Sequence, residues 1–156
     1  MADEIARITV ALERGLADVE AAFAHRSDAQ LSRHRSAEAW CAKQILGHLI
    51  EAEGEVFGAL IPGLAGRPAP PGWDAPPSMV RAGDCVADAA FLLARFRALR
   101  LDGIALARAL ASADLPRTSD RNWHKGPTET VGDLLRHWPE HTAEHLAQAE
   151  ATLTDD

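Results

Sequence analysis

The chain contains no tyrosine and only 5% aromatic residues, so its interior has to be built from Ala, Leu, Val and Ile. It has no apolar run approaching the roughly 18 residues that a membrane span requires. Met1-Ala2-Asp3-Glu4 starts acidic, with neither a basic segment nor a long apolar stretch, so a soluble, cytoplasmic protein is expected. Positive charge is scarce as well: 16 Lys and Arg stand against 23 Asp and Glu, for a net charge of -7 and a pI near 5.4. That balance argues against nucleic acid and anionic membrane surfaces as partners, and no Lys/Arg cluster is long enough to overturn it. Only two cysteines occur, Cys41 and Cys85, without CxxC spacing or a secretory context. Both read as ordinary thiols near helix starts, with catalytic use as a lesser alternative. Period-two alternation and internal repeats are missing too, which leaves helices to explain the pattern.

At 156 residues the chain fits one domain, long enough to bury about two-thirds of its unfolded surface without staples. Ile5, Ile8, Leu12, Leu16, Val19 and Phe23 step by three and four, which predicts a first helix ending near His25. A connector to Ser36 follows, in which His25 and His34 read as solvated. Ile45, Leu49, Ala52, Val56 and Leu60 predict a second helix from Ala42 that stops at Pro62-Gly63. The proline-rich stretch from Ile61 to Asp84 reads as a long loop anchored by Trp73, of a length that often serves as a lid. A third helix is predicted from about Cys85 to Ala113, capped by Asp84 and bent by Gly103. Its Arg95, Arg97 and Arg100 form a solvated basic stripe or face an anionic substrate. After a second long loop, Thr128 or Thr130 caps a fourth helix running to about Leu153. Pro139 inside it lacks the N–H that would bond the carbonyl of Leu135, so a kink is expected there. The sum is an all-α, four-helix bundle with long loops after the second and third helices.

The fourth helix carries His137, His141 and His145 at four-residue intervals. From 7 histidines about 0.3 such pairs are expected by chance, and two occur, which singles out this segment without deciding its role. At 100° per residue His145 lies inside the apolar arc centred on Val131, Trp138 and Ala149, His141 near its edge and His137 beyond it. His141 and His145 therefore rank ahead of His137 as ligands of a shared metal ion, against the alternative that all three satisfy hydrogen bonds at a core boundary. His48, beside the apolar row of the second helix, is either a hydrogen-bonded core residue or a further ligand. Glu51 and Glu55 lie on its side of the helix and could orient an imidazole or act as bases, or could simply be solvated.

Trp40-Cys41-Ala42-Lys43-Gln44-Ile45-Leu46-Gly47-His48-Leu49, then Glu53, then Gly126-Pro127-Thr128 leading into Leu134-Leu135-Arg136-His137, His141 and His145-Leu146-Ala147-Gln148, resemble the DinB/YfiT-like proteins, closest to the DinB_2 subgroup. The resemblance spans most of the chain from Trp40 onward. It implies a four-helix bundle in which His48, His141 and His145 hold a divalent metal; the kink expected at Pro139 keeps His137 as an outer partner or substitute ligand. The family implies a metal-dependent enzyme acting on a small molecule, either a transferase that uses a low-molecular-weight thiol as co-substrate or a hydrolase. Glu51, Glu55 and His137 are then the candidate proton acceptors. Imidazole accepts Zn, Ni and Fe alike, so the metal stays open. The alternative is a non-catalytic bundle, metal-stabilised or metal-free. One ion per chain is expected, because no second ligand cluster is visible in the sequence. A homodimer is also expected, since helices this rich in Ala often leave an apolar face uncovered and the family commonly pairs.

Overall fold

The computed structural model describes residues 2–68, 85–118 and 129–154. Four long helices carry the core. Helix α1, Ala2–Phe23, buries Ile8, Leu12, Leu16, Val19 and Phe23, the row its periodicity marked. It ends before His25, whose left-handed φ of 62° turns the chain away. The short helix α2, Asp28–Leu31, opens with a capping box: Gln30 N donates to Ser27 Oγ at 3.2 Å and Ser27 N to Gln30 Oε1 at 2.9 Å.

Helix α3, Ala42–Glu53, continues without a break into a π-helical segment, Gly54–Leu60, and then α4, Ile61–Ala65. The expected stop at Pro62 is corrected here: the helical path runs through Pro62, which sits in the first turn of α4. The chain stops instead at Gly66, whose φ of 64° is the left-handed conformation that glycine adopts without cost. Helix α5, Ala89–Ala109, begins four residues later than the pattern suggested, because Asp88 Oδ1 accepts from Phe91 N at 2.8 Å and caps it. Asp84, the expected cap, and Trp73 lie outside the described residues. Helix α6, Val131–Thr154, runs through Pro139 and is capped reciprocally: Asp133 N donates to Thr130 Oγ1 at 3.1 Å and Thr130 N to Asp133 Oδ2 at 3.0 Å.

Helix α1 packs against α5 and α6, and α3 packs against the same two, so the four make a closed square. Gly103 is a packing feature within α5, and that helix continues past it: a Cβ there would lie 3.0 Å from Phe57 Cγ, so its absence admits the Phe57 ring to the core. Among the described residues there is no strand, and no helix is long and apolar enough to cross a membrane.

The reading of two free thiols is corrected as well. Cys41 and Cys85 form a disulfide across 44 residues of sequence, with Cα atoms 6.7 Å apart. Each precedes a helix, α3 or α5, and those helices pack side by side, so closure is a tertiary event that no local spacing rule can register.

Candidate metal centre

Helix α3 contributes His48, and α6 contributes His141 and His145 from consecutive turns of one face. Ring centroids are 4.4 Å apart for His48 and His145, 4.5 Å for His141 and His145, and 5.4 Å for His48 and His141. One nitrogen from each lies within 4.8 Å of the other two, and all three rings are half-buried. His137 stands outside this group, with its centroid 6.1 Å from that of His141 and its Nδ1 3.8 Å from Glu140 Oε2.

Each ring is positioned by its neighbours. His145 Nδ1 lies 3.0 Å from Gln148 Oε1, a contact in which Nδ1–H donates to the amide oxygen and Nε2 keeps its lone pair for another partner. His141 stacks on Trp138 at 5.0 Å with an interplanar angle of 17°, and its buried Nδ1 has no hydrogen-bond partner. Burial, and then the positive charge that His145, His48, His137 and Arg100 would present, push the His141 pKa down from 6.5 to about 3. The imidazole is therefore neutral at physiological pH, the form that binds a metal. Trp40 closes over His48, with ring centroids 5.6 Å apart.

The rings open on a cavity of about 390 Å³. Glu51, Glu55, Glu144 and His137 supply its other polar groups, and Ala52, Val56, Leu134 and Trp138 its apolar wall. Both carboxylates singled out in the sequence thus lie at the cavity with His137. Glu144, next to His145 and one turn beyond Glu140, joins them without standing out in the sequence.

Behind Trp138 lies a network that sequence patterning misread. Arg100 and Glu53 are both 0% exposed. Arg100 Nε donates to Glu53 Oε2 at 3.1 Å, Arg100 Nη2 donates to Glu53 Oε1 and to Thr142 Oγ1 (2.8 Å), and Trp138 Nε1 donates to Glu53 Oε1 at 2.7 Å. Arg100 is thus neither part of a solvated stripe nor a substrate ligand. It is the charge partner of a glutamate that fixes the indole on which His141 rests. Arg97 is solvated and pairs with Glu20.

A model of the DinB superfamily matches residues 11–149. The chain belongs to the DinB superfamily. No curated protein matches it. Membership agrees with the helical bundle and gives the three histidines of this DinB protein a context, since a three-imidazole cluster of this kind could hold a divalent ion. The expectation of a single ligand cluster is corrected: His34, Cys41 and Cys85 form a second group whose ligand atoms also lie within 4.8 Å of one another.

Proposed function

We propose that this DinB-superfamily protein is a metal-dependent enzyme that acts on a small molecule, either by transferring a low-molecular-weight thiol to an electrophile or by hydrolysis. The observation that carries the reading is the meeting of three imidazole nitrogens within 4.8 Å at a cavity large enough for a small substrate. The donors fit a divalent ion. His141 is held neutral with a buried nitrogen that no protein group satisfies, and His145 is oriented by Gln148. Three protein ligands make an open site, and the ion when bound supplies the Lewis acidity that draws a thiol or a water toward its anion near neutral pH.

The chain's own residues supply the rest. Glu51, Glu55 and His137 border the same cavity and are the candidate proton acceptors, joined by Glu144. Ala52, Val56 and Leu134 give the cavity a low-dielectric side, where charge is stabilised more strongly than in water. Zn, Ni and Fe all suit the donor set. We place the protein in the cytoplasm as a homodimer, formed through helix faces on which Val10 and Phe91 are each 62% exposed and Leu101 45%.

Elemental analysis of protein purified without a nickel column, with His48→Ala, His141→Ala and His145→Ala in parallel, tests the site. Unchanged metal content in all three variants removes it. The chemistry is tested with glutathione, bacillithiol or mycothiol plus electrophilic acceptors, and separately with ester and amide substrates. Turnover no faster than that of His145→Ala, in protein that holds its metal, replaces the enzyme reading with a metal-stabilised, non-catalytic bundle. Light scattering at tens of micromolar tests the dimer, and a monomer mass refutes it.

A further inference from the structure

The second ligand group lies on the connector before α3, at the start of α3 and before α5. We propose that His34, Cys41 and Cys85 form a redox-gated site for zinc or another thiophilic divalent ion, shut while the two sulfurs are bonded to each other and opened by their reduction.

The first argument is the orientation of His34. Its Nδ1 lies 2.7 Å from the carbonyl oxygen of Ala39, which can only accept, so Nδ1 carries the proton. In the neutral ring Nε2 is then a bare lone pair, and it stands 3.4 Å from Cys85 Sγ. A disulfide sulfur has no hydrogen to donate, so in the oxidised state this contact is not a hydrogen bond. That approach becomes favourable once the sulfur is a thiol or once both atoms bind one cation. A backbone carbonyl on the far nitrogen is also the usual outer support of a metal-ligating histidine. Ligands about 2.0–2.1 Å (nitrogen) and 2.3 Å (sulfur) from a tetrahedral zinc are separated from each other by roughly 3.5 Å, close to the observed nitrogen–sulfur distance.

The second argument is that the ligands stay together without the S–S bond. The carbonyl of Cys85 accepts from Ser32 Oγ at 3.0 Å and from Lys43 Nζ at 3.4 Å. Lys43, only 1% exposed, also donates to Ala87 O at 2.8 Å and pairs with Asp28 of α2. Cys41 is 0% exposed at the start of α3. Backbone and buried lysine therefore hold Cys85 beside Cys41 and next to the connector that carries His34. Reduction releases the sulfurs without dispersing them.

The balance is simple. A small dithiol passes its two hydrogens and two electrons to Cys41 and Cys85 and leaves as its own disulfide, or a phosphine and one water do the same, the water giving its oxygen to the phosphine oxide and its two hydrogens to the sulfurs. Binding of the divalent ion to two thiolates and the His34 imidazole then releases those two protons, and water takes the fourth position on the exposed side. Oxidation by a small-molecule disulfide, which takes the two electrons and leaves as two thiolates, re-forms the Cys41–Cys85 bond and ejects the ion. The site is chemically unlike the three-histidine cluster, because it alone offers sulfur.

Cobalt(II) tests it on the intact, metal-free chain, because thiolate-to-cobalt charge transfer absorbs in the near ultraviolet and imidazole ligation does not. Protein reduced with a phosphine is expected to take up one more equivalent of cobalt than oxidised protein, with the charge-transfer band, and to lose the band when zinc is added. Mass spectrometry is expected to show the oxidised form two hydrogens lighter. His34→Ala, a change at an exposed position that leaves both cysteines in place, is expected to form the same disulfide and to bind cobalt at the thiolate site at least ten-fold more weakly. Absence of the band in the reduced protein, its presence in the oxidised protein, failure of the disulfide to form, or an unchanged affinity in His34→Ala each overturns the proposal.

Discussion

Replacing Glu53 by alanine is expected to be among the most damaging single changes in the bundle, although Glu53 lies outside the three-histidine cluster. The carboxylate accepts from Arg100 Nε, Arg100 Nη2 and Trp138 Nε1, and both members of the ion pair are fully buried. Its removal strands a guanidinium charge in the core, where Thr142 Oγ1 and the carbonyl of Leu12 are the other acceptors it meets among the described residues. Breaking a buried pair from one side costs about 3–5 kcal/mol, a large share of the roughly 5–15 kcal/mol that holds a domain together. The double variant Glu53→Leu/Arg100→Leu removes both charges and leaves the Trp138 Nε1–H short of a partner, at about 1–3 kcal/mol, while the Thr142 hydroxyl still donates to the Trp138 carbonyl. It should therefore lose far less than the sum of the two single changes. Urea unfolding followed by circular dichroism at one protein concentration, with slopes compared among variants, gives the cycle. A Glu53→Ala cost below about 1 kcal/mol, or strict additivity in the double variant, would refute the assignment of this pair as a buried, mutually dependent unit.

The lowered pKa of His141 makes the stability of the metal-free protein depend on pH. Between about 3 and 6.5 the unfolded chain binds a proton that the folded chain refuses, so stability falls as pH drops below 6.5, by up to about 1.4 kcal/mol per unit, and the loss is complete below about 3. His141→Gln should flatten that slope in urea midpoints measured at pH 7.5 and 5.5, and an identical slope in both proteins contradicts the cause. Gln148→Ala removes the acceptor that orients His145 and should weaken metal binding by about 10–100-fold in a competitive chelator titration, with little change in melting temperature of the metal-free form. Gly103→Ala sets a methyl group 3.0 Å from the buried Phe57 ring, and the overpacking of about 1–3 kcal/mol outweighs the roughly 1 kcal/mol of helix propensity gained. A higher melting temperature in that variant would show that Phe57 gives way.

What the sequence reveals is whatever depends on a single helix. The rows Ile8-Leu12-Leu16-Val19 and Val131-Leu134-Trp138-Ala149 are buried as their period requires, and the histidine spacing on α6 is a property of that helix alone. What it conceals depends on a partner from another element. Arg100 reads as one arginine in a solvated stripe until α3 brings Glu53 against it. Cys41 and Cys85 look unrelated until α3 and α5 pack together. The step from α3 into the π-helical segment is invisible for a different reason, since Leu49, Ala52, Val56 and Leu60 keep a plain helical spacing through it. His48 lies between the two cases. Its place beside the apolar row is local, but its pairing with His145 requires the docking of α6, and the family resemblance alone anticipated that pairing.

The histidines reach the folding chain by two routes. His141 and His145 sit one turn apart and come together as soon as that part of α6 turns, a local event on a timescale of about a microsecond or less. His48 joins only when α3 docks, which closes a loop of roughly ninety residues and carries a far larger entropic cost. A chain folding in the presence of a divalent ion therefore offers a two-imidazole clasp before it offers the full set. That clasp favours the helical turn following Pro139, next to the turn in which the proline leaves the Leu135 carbonyl without its helical donor. Whether ion or chain arrives first thus becomes a variable of folding kinetics, and refolding with metal present should follow a faster course than refolding with metal added at the end.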